Sequence, residues 1–428
     1  MHDVIVVGGG FAGVTSAREA ARDGRSVLLL EARDRLGGRT WTAPWNGRDI
    51  EYGGGWVHWH QPHTFSEITR AGLAVELSGD ADVSAWYVGD ERRTGTIAER
   101  DAIANAGWVR FVAGVEESLP NPHDPLLAID RLAAMDALTI AERVDQLGLD
   151  DEQHAVLWAE LESLAHGPLT DAGAVSVLRW HALSGYSLAL TQYTGGRVTL
   201  ATGTRGLIDA IAAQAPFETR LETAVAAVRR RGGGVEVETR AGEVLAGRRA
   251  VVAVPLNTLG SIEFEPALSE TKREGIALGQ ASRGIKIFIH AEGEPVGQNA
   301  IRPGHPFGYL DTEFQNADGS QVMIGFGYDA AICDATDLPG VQAALDRIIP
   351  GYTARAATAH DWLADEFSQG TWAIHRPGWY SRYHDEMRRP EGPVLLAGSD
   401  LAAGWAGFID GAIESGLRAG AWLRAQSL

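Results

Sequence analysis

Val4–Arg39 reads VIVVGGGFAGVTSAREAARDGRSVLLLEARDRLGGR. The apolar run Val4–Val7 has the length and composition of a fully buried strand. Gly8, Gly10 and Gly13 then follow in the spacing G-x-G-x-x-G. A helical segment is predicted from Phe11 to Asp23, with Val14, Ala17 and Ala21 on one face, and Gly24 ends it. A second apolar strand, Val27–Leu30, closes on Glu31. Strand, glycine turn, helix, strand and acid together form the βαβ dinucleotide fingerprint. Gly8 allows the tight turn, Gly10 lets backbone amides approach a pyrophosphate, and Gly13 lets the helix pack against the sheet. The first helical amides, at Phe11 and Ala12, stand at the positive end of the helix dipole, where a pyrophosphate is stabilised. Glu31 comes 18 residues after Gly13, placed to accept hydrogen bonds from ribose hydroxyls. A bare G-x-G-x-x-G means little in a chain with 52 glycines, and here the flanking strands and helix give it weight.

The rest of the composition narrows the class. At 428 residues the chain exceeds what one core usually supports, so two domains are expected. No apolar run approaches membrane-spanning length, and the opening strand begins too early to leave room for a leader. The single cysteine, Cys333, rules out a disulfide framework and a cysteine-rich metal site, and is read as structural. A cytoplasmic protein without a metal is the expectation. The formal charge of −19, from 56 acidic and 37 basic residues, argues against nucleic acid, whose binding rests on neutralising phosphates. It favours the approach of a cation such as an ammonium substrate, though acidity for solubility is the plainer reading.

The tail of the fingerprint, Glu31-Ala-Arg-Asp-Arg-Leu-Gly-Gly-Arg39, resembles the extension found in the flavin-containing amine oxidase family. That superfamily also holds polyamine oxidases, L-amino-acid oxidases and protoporphyrinogen oxidases. The resemblance implies FAD as cofactor, with Glu31, Ala32 and Arg33 at the adenosine ribose and Gly37, Gly38 and Arg39 toward the phosphate and flavin. The next stretch, Gly53-Gly-Gly-Trp-Val-His-Trp-His60, would reach the flavin edge through Gly54 and Gly55. It would open the substrate cavity with Trp56 as a wall, unless these aromatics simply pack in the core.

Helices are predicted at Leu126–Leu147, Asp151–Ala165 and Ala172–Gly185, carrying Glu160, Glu162, His166, Trp180, His181, Tyr186 and Tyr193. Glu162 either faces the cavity and receives an amine or is a capping or solvated glutamate. Further on, the resemblance places Val225 at the adenine. No second G-x-G-x-x-G follows, which argues against a pyridine-nucleotide reductase. Ile285–His290 alternates strictly, putting Lys286, Phe288 and His290 on one strand face. Read plainly, Lys286 lies on a half-exposed sheet; read through the resemblance, it holds a water near the reactive flavin nitrogen and assists reoxidation by dioxygen.

Phe367-Ser-Gln-Gly-Thr-Trp-Ala373 aligns with the segment whose cysteine carries flavin covalently in monoamine oxidases. Thr371 stands at that position, so FAD is expected to be non-covalent, with Trp372 as the aromatic flanking substrate. The C-terminal stretch resembles the family's final motif. Gly398 and Asp400 end a buried strand. The amides near Gly407, Phe408 and Ile409 begin a helix aimed at the flavin, and Phe408 forms a second aromatic wall. Asp410, Glu414 and Arg418 are read as ordinary helix-surface pairs.

The fold expected is therefore α/β: a discontinuous Rossmann-type FAD-binding domain (1–75, 195–285 and 390–428) and a mixed α/β substrate domain (76–194 and 286–389). The function implied is hydride removal from the carbon next to an amine nitrogen, with dioxygen reoxidising the flavin and releasing hydrogen peroxide. Lys286, Trp372, Phe408, Trp56 and Glu162 are the candidate catalytic residues. An aromatic or cyclic amine resembling nicotine is favoured as substrate. An L-amino-acid oxidase would want an arginine for the carboxylate, with Arg179 and Arg302 available. A flavin desaturase or protoporphyrinogen-type oxidase, and a non-catalytic flavoprotein, are further alternatives. The expected partners are a small-molecule amine and dioxygen, without nucleic acid or membrane. A homodimer is considered, although oligomeric state is not legible in the sequence.

Overall fold

The opening strand, His2–Val7, pairs in parallel with Val27–Leu30 on one side and Val244–Val252 on the other. The computed structural model describes residues 1–79 and 81–426. Around this centre an eight-stranded sheet runs in the order Glu263–Glu265, Val225–Arg231, Gly234–Thr239, Val244–Val252, His2–Val7, Val27–Leu30, Glu218–Arg220, with Val394–Leu396 paired in parallel to Val244–Val252. Val27–Leu30 is apolar and buried along its whole length and His2–Val7 from Val4 onward, as required of strands covered on both faces.

One of the covering layers is a helix pair. Phe11–Arg22 lies on the sheet, and a Cβ at Gly13 would collide with the Gly8 carbonyl, so only glycine lets the helix start this close. The final helix, Ile409–Arg424, packs across it, with Gly416 against Ala12 and Thr15. Val14, Ala17, Ile413 and Ala419 share one buried core there. Because both faces of the final helix are engaged, Asp410, Glu414 and Arg418 are not surface pairs. Buried Asp410 accepts from the Thr64 amide (2.8 Å) and contacts His63, Glu414 accepts from the Ala403 and Gly404 amides, and Arg418 donates to the Arg388 and Leu396 carbonyls.

A seven-stranded sheet forms the second body, ordered Thr353–Ala359, Ile285–Glu292, Gln321–Gly327, Tyr309–Gln315, Gln298–Ile301, Val83–Val88, Glu91–Thr96. Helices Ile97–Phe111, Asp151–Ala165 and Ala174–Leu183 accompany it. The stretch Leu126–Leu147, predicted as one helix, is two: Ile129–Asp136 and Ile140–Asp145. Thr139 causes the break. Its hydroxyl accepts from the Glu142 amide, while the Glu142 carboxylate accepts from the Thr139 amide and hydroxyl, a capping box that restarts the helix. Helix Asp151–Ala165 has the predicted limits. Asp150 caps its start by accepting from the Gln153 amide, and His166 ends it in the left-handed conformation (φ 48°).

Candidate active site

A single cavity of about 610 Å³ runs between the two sheets and joins two chemically different ends. At one end the glycine turn forms a cradle. A Cβ at Gly10 would meet only the Gly38 Cα, at 3.8 Å, and would otherwise project into the cavity. The helix that follows has no side-chain cap and no acid in its first turn, leaving amides free for an anion. Gly8, Phe11 and Ala12 line this end. The Glu31 carboxylate also lines it, held in place by the Gly9 amide (2.6 Å) and the Arg33 amide (2.8 Å). Ala32, Arg33 and Val225 complete the nucleoside side, with Arg33 fixed by Asp365 (2.7 Å). This cradle fits a dinucleotide.

Gly38, Arg39, Gly54, Gly55 and Gly398 carry the lining onward to Gly407, Phe408 and Ile409, where the uncapped N-terminus of the final helix meets the cavity. Two residues predicted to touch the cofactor sit one layer back. Gly13 lies beneath the turn, against Gly8. Asp400 is buried behind Arg39 and pairs with its guanidinium while accepting from the Leu256 amide at 2.9 Å. Burial opposes charge on Asp400, but Arg39 and these hydrogen bonds outweigh it and hold the carboxyl below its ordinary value. Arg39 also donates to the Thr371 carbonyl (2.7 Å) and Ser399.

At the other end the walls are aromatic. Lys286 is buried rather than half-exposed, because its strand lies inside the sheet between Gln321–Gly327 and Thr353–Ala359. Its ammonium donates to the Gly53 carbonyl (3.0 Å) and lies 4.7 Å from the Trp56 ring centre. Burial pulls its pKa down to about 8, with Glu313 and Glu51 opposing the shift. Phe326 bridges Trp56 (5.5 Å) and Trp372 (6.3 Å). Trp372 is pinned by its indole N–H on the Leu164 carbonyl and stacks on His166 at 4.2 Å and 6°. Phe408 meets Trp180 and Trp405 edge to face. Lys286 and the rings of Trp56, Phe326, Trp372, His166 and Phe408 line the same cavity, whereas His58, Trp59 and His60 lie outside its lining.

Glu162 is not a cavity residue. It is buried against the Trp158 indole (2.9 Å) and the Gly304 amide (2.9 Å), satisfying both carboxylate oxygens within the fold. Two residues earlier, about 200° around the helix, Glu160 lines the cavity instead, paired with Arg100 (3.0 Å) and Trp108 (2.6 Å). Arg179 and Arg302 also lie outside the lining. Arg179 serves the Ala403 and Gly404 carbonyls, and Arg302 pairs with Asp90.

His166, named from the sequence without a role, lines the cavity, as do Tyr309, Asp311 and Glu313, which were not singled out. Burial lowers the His166 pKa to about 4, so it is neutral, with Nδ1 at 2.8 Å from the Thr371 hydroxyl. The signal for the other three was present as a period-two polar run, Tyr-x-Asp-x-Glu, in the strand after the lysine strand.

The sequence model described as flavin containing amine oxidoreductase matches residues 11–421. Pseudooxynicotine dehydrogenase of a Pseudomonas species is 35% identical over 98% of this chain and 85% of its own length. Nicotine dehydrogenase of Pseudomonas putida is 36% identical over 98% and 87%. (S)-6-hydroxynicotine oxidase of Paenarthrobacter nicotinovorans is 30% identical over 97% of both chains. Among solved structures, putrescine oxidase bound to putrescine shares the fold with a TM-score of 0.82 at 21% identity, covering 99% of each chain. Taken with the dinucleotide cradle, these matches show that the chain belongs to the flavin-containing amine oxidoreductases and is an FAD-dependent enzyme.

Proposed function

We propose that the protein oxidises an aromatic or cyclic amine, with dioxygen as electron acceptor and hydrogen peroxide as product. The observation that carries this reading is the continuity of the cavity: the dinucleotide cradle opens directly onto a chamber walled by Trp56, Trp372 and Phe408 and floored by buried Lys286. FAD, when bound, supplies a hydride acceptor and afterwards an electron donor to dioxygen. The chain's own residues bind, orient and exclude water. The aromatic walls attract an arriving ammonium by cation–π interaction, worth up to ~2 kcal/mol in a dry site. The amine must then be neutral, because an ammonium has no lone pair to assist hydride loss from the neighbouring carbon. Water hydrolyses the imine product, to a carbonyl compound and a free amine where the substrate is open-chain, or to a single ring-opened amino-carbonyl compound where it is cyclic. Lys286 holds a proton-donating group in the chamber without an acid–base triad, and neutral His166 fixes the Trp372 plane. In this reading segments 1–75, 195–285 and 390–428 carry FAD and segments 76–194 and 286–389 carry substrate. FAD is held non-covalently, since Thr371 offers no thiol; acid precipitation should leave all flavin in the supernatant.

The names of the relatives support the nicotine-like substrate class. They also favour a second reading of the acceptor, because two of the three are called dehydrogenases. The test is anaerobic mixing with benzylamine, putrescine, nicotine and L-amino acids while flavin absorbance is followed, then readmission of air. Bleaching by nicotine with rapid return of colour and peroxide supports the first reading. Bleaching without return in air transfers it to a dehydrogenase, and no bleaching by any amine rejects both.

A further inference from the structure

The final helix, Ile409–Arg424, begins at the cavity wall, where Gly407, Phe408 and Ile409 line it, and it carries an acid in its first turn. That acid, Asp410, is fully buried. Two residues of chain span at most about 7 Å, so its Cα stands no farther than that from the Cα of Phe408. Its carboxylate is engaged by the start of another helix, Pro62–Ala71, whose N-cap residue Gln61 makes no side-chain cap of its own. Oδ1 accepts from the Thr64 amide at 2.8 Å, and Oδ2 lies 3.0 Å from His63 Nδ1. A carboxylate only accepts, so Nδ1 carries the proton in that contact, and Nε2 is where His63 gains or loses its second one. The His63 side chain is 28% exposed, within reach of water. The pair therefore carries a charge of −1 when His63 is neutral and none when His63 is protonated. Of the other groups facing His63, Glu414 is held by the Ala403 and Gly404 amides, and burial keeps His123 below its ordinary value. Arg179, which faces His123, spends its guanidinium on the Tyr380 hydroxyl and the Ala403 and Gly404 carbonyls. For His63 itself the Asp410 hydrogen bond outweighs burial, and the Asp410 and Glu414 charges add to it, so its pKa lies above the ordinary 6.5.

We propose that the His63–Asp410 pair tunes the bound flavin by its charge: the flavin is reduced more readily when His63 is protonated and less readily when it is neutral. His63 is a positioning residue here, since it acts through the charge left on Asp410. Hydride transfer to a neutral flavin leaves one negative charge on it, and a second negative charge at the cavity wall opposes that. A unit charge about 10 Å away through protein changes such an equilibrium about tenfold. Linkage makes the effect reciprocal, so reduction of the flavin tightens proton binding at His63 by the same factor. The advantage is present below the pKa of His63 and is lost as pH rises through it. The inference needs only bound FAD, and it stands whichever amine the enzyme oxidises.

The experiment is anaerobic equilibration of the FAD-bound protein with a redox dye of known potential, without any amine, from about pH 5.5 to about pH 8.5. His63→Asn keeps an amide N–H near the Nδ1 position, so Asp410 stays paired while the titration is lost. The expected result is that the two curves meet at the alkaline end and separate at the acid end. There the wild-type ratio of reduced to oxidised flavin should be about tenfold higher, equal to about 30 mV for a two-electron couple. Lys286 titrates at about 8 beside the same cavity, but it contributes equally to both curves, so their difference belongs to His63. Curves that superimpose at every pH overturn the proposal. So does an offset that is constant with pH, which would leave the pair only the work of joining two helices. FAD content and a thermal melt check that the variant is folded. If His63→Asn loses FAD, His63→Gln keeps a donor on a longer arm and is read by the same two outcomes.

Discussion

Lys286 places an ammonium in a strand interior, and its chemistry follows from that burial. Its folded pKa of about 8 lies below the ordinary 10.5. Between those values the unfolded chain still binds a proton that the folded protein gives up, so stability rises from about pH 8 to about pH 10.5. Below pH 8 the buried charge costs about 3 kcal/mol, the 2–3 unit difference at ~1.4 kcal/mol each. Lys286→Met should therefore raise the melting temperature of the apoprotein at pH 7 and flatten the alkaline rise, as thermal melts across pH would record. The same variant should slow flavin reoxidation far more than flavin reduction in stopped flow; equal slowing of both would remove the residue from the oxygen step. Trp372 is held by the Leu164 carbonyl and by His166, so it presents a fixed face. Trp372→Ala should raise KM for amines and lower the reduction rate, with kcat/KM falling about five- to thirtyfold for a cation–π share of about 1–2 kcal/mol. Unchanged kinetics would take the indole off the substrate path.

At the scale of elements, the crossing of Phe11–Arg22 with Ile409–Arg424 joins the two ends of the chain under the cofactor cradle. Gly416 makes the crossing close, because a Cβ there would stand 2.7 Å from the Ala12 carbonyl oxygen. Gly416→Leu should destabilise by about 1–3 kcal/mol through overpacking and reduce the FAD retained on purification. The flavin-to-protein absorbance ratio and a denaturant melt would measure both, and full occupancy at unchanged stability would contradict the packing argument. Strands and helices with strong patterns were legible in sequence: Val27–Leu30 and Asp151–Ala165 keep their predicted limits. The break between Ile129–Asp136 and Ile140–Asp145 was not read, although the capping pair Thr139 and Glu142 that makes it was visible. Glu162 misled because a helix turns about 100° per residue, and the choice between Glu160 and Glu162 belongs to the packing of the whole helix.

For the whole molecule, a formal charge of −19 surrounds a cavity that takes a cation under the proposed function. Long-range attraction of this kind is screened by salt. kcat/KM for an amine that is protonated in solution at the assay pH should fall as ionic strength rises from about 10 to about 300 mM, while an amine neutral at that pH should show no such slope. Matching slopes for both would restrict the acidity to solubility. The dinucleotide cradle was determined by sequence alone, since turn, helix start and acid are set by residues within one βαβ unit. The non-thiol at position 371 and the alternating lysine strand were equally local. What the tertiary structure decided is which distant side chains share the cavity. Asp400 stands behind Arg39, His166 lies flat on Trp372, and Asp311 with Glu313 faces Gly79. Each of these pairs is brought together by sheet register and helix packing between segments far apart in the chain, and no local pattern encodes that distance.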